Sequence, residues 1–325
     1  MWRRHSIAAI VIGGALVFAF GREGVAQAQK FTTPWGDPDL QGTWNNQTPV
    51  PLERPKELKD KARFTPEEVR EYEKTHANRL QGFINTVEVV NACPPGGKEA
   101  DCVESLAVWL DTAKVARNLR TSLIVDPEDG KIPFTDEGRT RWLATPSGMV
   151  EAGREPPADR PVDRNLVERC MAFGGLFEPN PFYNNYHYIL QTPEYVVIIM
   201  EEGHDQRIIP LDGRRHIGSN IRQWLGDSRG RWEGQTLVVA TTNYNDRMLF
   251  RGATRNLRTV ERFTRVAADA IDYEVTFTDP ATYAKPWTVQ NTLWKSDAMI
   301  YESDCHEGNY GLANILSAAR AEEKR

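Results

Sequence analysis

From residue 181 onward the chain reads as short β-rich runs divided by turn residues, with no helical period between them until the final residues. The runs fall at 186–191, 195–201, 206–211, 235–243, 257–266, 271–278, 287–294 and 299–304. Thr192-Pro193, Gly203, Asp212-Gly213, Glu233-Gly234, Asp279-Pro280 and Ser296-Asp297 supply turn chemistry between several of them. In the sixth run Ile271, Tyr273, Val275 and Phe277 share one face, and Asp272, Glu274, Thr276 and Thr278 the other. That period of two marks an antiparallel sheet with one dry side and one wet side. Successive hairpins of this number can close around a small ligand and so remove exposed edges. The expected fold is therefore mainly β with helical additions, an antiparallel barrel of about eight strands, with a two-sheet sandwich as the alternative. No fixed-period repeat points to a propeller.

The first half carries the helical signals. Residues 33–55 are rich in Pro, Asp and Asn, with a short strand candidate at 40–44. Thr65-Pro66-Glu67-Glu68 combines an N-cap threonine, a proline at the first helical position and an N3 glutamate, and Val69, Tyr72, His76 and Leu80 then form a narrow stripe. Val103, Leu106, Ala107, Leu110 and Val115 predict a second helix, and Leu166, Val167, Cys170 and Met171 a third. Leu312, Ile315, Leu316 and Ala319 predict a last helix that could plug or flank the barrel. The chain is expected to form one β-rich domain over 29–325, with a helical segment at about 64–119 and its barrel strands mainly in 186–304.

The N-terminus sets the compartment. Arg3, Arg4 and His5 precede an apolar run from Ile7 to Phe20, and Ala26-Gln27-Ala28 fits a cleavage site. This is the pattern of a secretory signal peptide over 1–28, with the Sec route as the default and the Arg3-Arg4 pair a poor twin-arginine signal. The run is too short to span a bilayer, so no membrane span is expected. Outside the cytoplasm, ATP, nicotinamides and coenzyme A are scarce, which disfavours dissociable-cofactor chemistry. Removing 1–28 takes away Arg3, Arg4, Arg22 and Glu23, leaving 37 basic against 44 acidic residues. A net charge near −7 without a basic block offers nucleic acid no electrostatic footprint. Cys93, Cys102, Cys170 and Cys305 allow three pairings in an oxidising compartment. Cys93–Cys102 across the Pro94-Pro95-Gly96-Gly97 loop, with Cys170–Cys305 as a long-range staple, is the expected one. Oligomeric state is not readable.

Chemistry-bearing residues cluster near turns. His204, His216 and His306 lie in the β-rich half, with Glu201, Glu202, Asp205 and Arg207 near the first, Arg214 and Arg215 before the second and Glu307 after the third. One imidazole oriented by a carboxylate could act as acid and base, and three imidazoles could hold zinc with an open position. His204, His306 and Glu307 are the expected proton-transfer group, without a cofactor; zinc on His204, His216 and His306 is the alternative. Tyr183 and Asn184 belong to an aromatic and amide run suited to a ligand wall, and Asn309 and Tyr310 follow the expected bridge at Cys305. Arg207, Arg222 and Trp224 complete the expected binding set; Arg222 with Trp224, and Arg231 with Trp232, could stack on an aromatic or carbonyl-bearing ligand. Gly226-Asp227-Ser228-Arg229-Gly230 matches a nucleophile-elbow pattern, but it leads into a strand where an elbow needs a helix, so it is expected to be a polar loop.

Pro38-Asp39-Leu40-Gln41-Gly42-Thr43-Trp44, Ile208-Ile209-Pro210-Leu211-Asp212-Gly213-Arg214, residues 221–239 and Cys305-His306-Glu307-Gly308-Asn309-Tyr310 together resemble a large family of uncharacterised exported bacterial proteins. The resemblance covers nearly the whole chain after the signal peptide; it implies a periplasmic or secreted protein and no reaction. Gly42-Thr43-Trp44 also resembles the G-x-W opening of lipocalin-type (calycin-like) barrels, from which the helical insertion departs. Two functions are compatible with these readings. One is a cofactor-independent lyase, isomerase or hydrolase acting on a small, partly aromatic or isoprenoid molecule. The other is a non-catalytic periplasmic protein that binds such a molecule.

Overall fold

Alternation builds the sheet as expected. In the strand Ala270–Thr278, Ile271, Tyr273, Val275 and Phe277 are all buried while Asp272 is exposed, so one face packs and the other meets water. The structure, a computed structural model, describes residues 31–91, 113–171, 185–245, 247, 250–302, 305–307 and 309–324. The expected signal peptide, the expected Cys93–Cys102 bridge and most of the expected helix at 103–115 lie outside the described residues.

The strands are β1 (Gly42–Asn45), β2 (Ile124–Asp126), β3 (Tyr186–Gln191), β4 (Tyr195–Met200), β5 (Gln206–Pro210), β6 (Asp227–Glu233), β7 (Thr236–Thr242), β8 (Arg258–Ala267), β9 (Ala270–Thr278) and β10 (Trp287–Ser296). They form one ten-stranded sheet in the order β5-β4-β3-β1-β10-β9-β8-β7-β6, with β2 attached to β10. The pairings are antiparallel; β3 to β5 and β6 to β10 join strands consecutive in sequence, whereas β1 inserts between β3 and β10 and β2 pairs with β10. β5 and β6 share no ladder, so hydrogen bonding does not close the sheet. These two edges nonetheless touch. A Cβ placed on Gly230 of β6 would lie 2.7 Å from Leu211 Cδ2 and 2.8 Å from Ile209 Cγ2, so the glycine is what permits the approach.

Both ends of the curled sheet are packed. At one, Gln191 accepts from Leu40 N–H (2.5 Å) and donates to Pro38 O (3.0 Å), while Trp44 Nε1 donates to Leu40 O (2.8 Å). At the other, Phe250, Phe277 and Trp287 stack, with Phe277 and Trp287 centroids 4.3 Å apart. The helix α1 (Pro66–Asn91) begins with the anticipated reciprocal cap: Thr65 N–H donates to Glu68 Oε2 (2.8 Å) and Glu68 N–H to Thr65 Oγ1 (3.3 Å). Its Val69 and Tyr72 pack against the core. Two short helices, α2 (Asp136–Leu143) and α3 (Pro146–Glu151), each take a threonine N-cap. Arg141 of α2 ties them to the sheet end by donating to Gly252 O (2.8 Å). The last helix, α4 (Tyr310–Glu322), starts where expected.

Three local expectations need correction. Residues 226–230 are not a polar loop: 227–233 form β6, whose inward positions are Ser228, Gly230 and Trp232. The strand expected at 299–304 is not formed over its described part, 299–302, since β10 ends at Ser296. The expected helix around 166–171 is a series of turns, with Cys170 at a positive φ of 54° that interrupts any helix. Helices α2 and α3, and strand β2, were not anticipated. The long-range Cys170–Cys305 bridge is present, as expected. Among the described residues no helix is long and apolar enough to cross a membrane.

Candidate functional site

The dry side of the curled sheet is not uniformly apolar. Trp44, Ile189, Val196, Ile198, Ile209, Leu237, Val239, Phe263 and Val275 line it, and among them lies a group of charged and polar side chains. Arg207 of β5 donates through Nη1 to Glu261 Oε1 of β8 (2.8 Å) and through Nη2 to Glu261 Oε2, a two-pronged pair in which the side chains are 7% and 1% exposed. Tyr273 of β9 donates to Glu261 Oε1 (2.9 Å). Arg207 Nη2 also reaches Ser228 Oγ (3.2 Å) and Thr241 Oγ1 (3.3 Å), which bond to each other at 2.9 Å. Tyr244 and Thr259 hydroxyls meet at 2.6 Å.

Register explains this convergence. Ile198 pairs with Arg207, Val239 with Glu261, and Ser228 with Thr241, so the interior parity of three hairpins delivers all four polar groups to one space. From the edge strand β5, Arg207 reaches Ser228 of β6, Thr241 of β7 and Glu261 of β8. Burial works against the Arg207 charge, but Glu261 outweighs it and holds the guanidinium protonated. Burial first and the Glu261 charge second raise the Tyr273 phenol well above its ordinary value, and push Tyr244 up to about 12.

His187 completes the interior. It lies on β3 between Trp44 of β1 and Met200 of β4 and is 4% exposed. Neither of its ring nitrogens has a hydrogen-bond partner, and neither has Arg207 Nε. Burial, assisted by the Arg207 charge, lowers its pKa to about 3, so the ring is neutral. Buried polar atoms are paired in the great majority of native structures, and each such exception calls for an explanation.

A second arrangement faces the other way. His216, in the loop after β5, donates from Nδ1 to Asp227 Oδ2 (2.8 Å). Asp227 also accepts from Ile217 N–H (3.1 Å) and from Arg229 Nη1 (2.7 Å), which fixes the carboxylate. The His216 side chain is 31% exposed, so this is an imidazole oriented by a carboxylate and open to solvent. Asp227 and Ser228 are consecutive residues of β6, and consecutive side chains of a strand point to opposite faces.

The remaining expected site residues are scattered. His306 and Glu307 are exposed in a turn, and Tyr310 is 75% exposed at the start of α4. Asn309 caps α4, accepting from Leu312 N–H (3.2 Å) and donating to Glu168 O (2.8 Å) and Cys170 Sγ (3.3 Å). Arg222 donates to Tyr244 O (3.4 Å) and to Arg255 O, tying a loop rather than stacking, and Trp224 is half-buried nearby in sequence. Arg231 is engaged by Glu233 (3.0 Å). Tyr183, Asn184 and the His204 side chain lie outside the described residues. Among the described residues no three His, Cys, Asp or Glu side chains group in a way that could hold a metal ion. Of the expected set, the structure brings Arg207 into a built polar cluster and gives His216 a carboxylate partner.

Sequence reasoning missed Glu261, Tyr273, His187 and Asp227. A usable signal existed for Glu261: it shares strand parity with Phe263, as Arg207 does with Ile209. A charge at an inward position on each of two strands points to a buried pair. Comparison of the chain with protein-family models, with curated proteins and with solved structures finds no match.

Proposed function

We propose that this is an exported, non-catalytic binding protein that holds a small, partly aromatic or isoprenoid molecule inside the curled sheet. The observation that carries the reading is His187: a buried imidazole, on the inward face two strands from Arg207, with both nitrogens unspent. A solid apolar core has no use for it. The touching edges at Gly230 support treating the sheet as a lipocalin-like barrel with one unpaired seam, a form that encloses ligands. The Cys170–Cys305 bridge supports an oxidising, periplasmic or secreted setting, in keeping with a cleaved signal peptide.

Binding is favoured over turnover because of where the imidazoles stand. Acid–base catalysis works best with a pKa near the working pH, and His187, at about 3, is far below it. His216 is properly oriented but belongs to the outer side of β6. The test is uptake of an uncharged apolar dye, N-phenyl-1-naphthylamine, by the purified mature protein. We expect its fluorescence to rise with one saturable site, and to stay low in His187→Trp, whose larger side chain fills the space. A wild-type protein that takes up no dye sinks the reading.

One observation favours a second reading, an acid–base enzyme of the lyase, isomerase or hydrolase class: the His216–Asp227 contact at 2.8 Å. Its signature is turnover that follows a single titration and is abolished by His216→Ala while dye uptake persists.

A further inference from the structure

Helix α1 and the outer face of β10 meet at a cleft that is separate from the sheet interior. In β10, Leu293 is fully buried on the inward side, so its neighbour Trp294 points to the opposite, outer side. Arg70, Glu73, Lys74 and Ala77 recur at helical spacing and so share one face of α1. Between that face, Trp294 and the segment 113–115 is a cleft of about 460 Å3. We propose that this cleft is a second binding site, outside the sheet, for a small organic monoanion: a carboxylate carried on an apolar body.

The walls are fixed from several sides. Glu73 Oε1 accepts from Val115 N–H (2.7 Å), which ties the helix to the segment facing it. On the neighbouring face of α1, Val69 and Tyr72 pack against the core, and the Tyr72 hydroxyl donates to Pro49 O (3.2 Å). The helix therefore cannot close the cleft by settling onto the sheet without giving up these contacts. The volume falls within the roughly 300–1,000 Å3 typical of small-molecule sites, and Ala77, Val115 and the Trp294 ring supply apolar lining.

Charge decides what such a volume takes. Lys114 Nζ stands 5.1 Å from the centroid of the Trp294 ring, a cation drawn to an aromatic face, and Lys74 lines the helix wall. Among the described residues neither lysine has an ion-pair partner, whereas Arg70 is matched by Glu67 at 3.1 Å. With Glu73 set against the two lysines, the cleft keeps one positive charge, in a chain whose net charge is −5. A carboxylate neutralises that charge and an ammonium is repelled by it. The interior offers nothing comparable, because Arg207 is already matched by Glu261. The two sites therefore select different ligands, and this one does not depend on the interior being occupied.

The test is calorimetric titration of the full mature protein at neutral pH and low ionic strength with 2-naphthoate, 2-naphthamide and 2-naphthylmethylamine. These share one apolar body and present an anion, a neutral amide and a cation. We expect naphthoate to bind one site per chain about fivefold more tightly than the amide, the worth of exposed ion pairs, with the amine weaker still. High salt should remove most of that margin. Lys74→Gln combined with Lys114→Gln should lower naphthoate to the affinity of the amide and leave the amide unmoved, a pattern that a misfolded protein would not give. Ala77→Trp, which fills the cleft from an exposed helix position, should abolish binding of both. Naphthoate that does not bind, that binds no more tightly than the amide, or that keeps its affinity in the double lysine variant or in Ala77→Trp overturns the proposal. None of these results bears on dye uptake by the interior, so the binding reading stands or falls separately.

Discussion

The cluster around Arg207 and the turn at Cys305 to Tyr310 are composed of similar residues and lead opposite lives. Each holds an imidazole, a carboxylate, a phenol and a group that ties it down, Arg207 in one and the Cys170–Cys305 bridge in the other. In the first the carboxylate is 1% exposed and bonded to both an arginine and a tyrosine; in the second His306, Glu307 and Tyr310 face solvent. A rigid backbone is therefore not enough to make a site. Withdrawal from water is what gives a polar group strong interactions and a displaced pKa.

The largest test of this contrast removes one partner of the buried pair. Glu261→Gln leaves the Arg207 charge uncompensated in the interior and should cost about 4 kcal/mol of unfolding free energy, whereas Glu307→Gln should change stability by no more than about 0.5 kcal/mol. Urea unfolding of both variants reads the difference, and comparable losses would erase the contrast.

Next in size is a pH effect. The His187 pKa, lowered to about 3 by burial and by Arg207, lies below its unfolded value of 6.5. Between those values the unfolded chain binds a proton that the folded chain refuses, so stability is full above 6.5 and falls as the pH drops toward 3. At pH 5 the loss should be about 2 kcal/mol relative to pH 8. This component should vanish in His187→Phe and persist in His306→Phe, whose ring is exposed. The check is the pH dependence of unfolding in the three proteins.

The smallest effect belongs to the turn's one structural contributor. Asn309→Ala removes the α4 cap and its bonds to Glu168 and Cys170, and should cost about 1 kcal/mol, read as a lowered Tm.

The sheet was legible because its hairpins keep strict alternation and carry turn residues, as in β8 through β10. β6 was not, because its inward positions hold Ser228 and Gly230 rather than large apolar residues, and its glycine serves the contact with β5. β8 shows how alternation can mislead at a site. In Val260-Glu261 the valine is 41% exposed and the glutamate is inside, because Phe263 sets the register and Arg207 awaits the carboxylate. The three imidazoles expected to meet were selected by closeness to turns, a weak guide to spatial neighbours. Arg207 was legible as a polar residue in a strand, but its partner 54 positions away required the register of three hairpins.

Strand β1 has a consequence for how this chain comes into being. Four residues, Gly42–Asn45, are the link between β3 and β10, whose partners at 294–296 lie far along the chain from them. An emerging polypeptide can form its hairpins one after another, yet the two halves stay unjoined until β10 has been made. The Cys170–Cys305 clasp waits in the same way for a residue 135 positions after its partner, so the sheet and its covalent tie are both completed after the hairpins that they join.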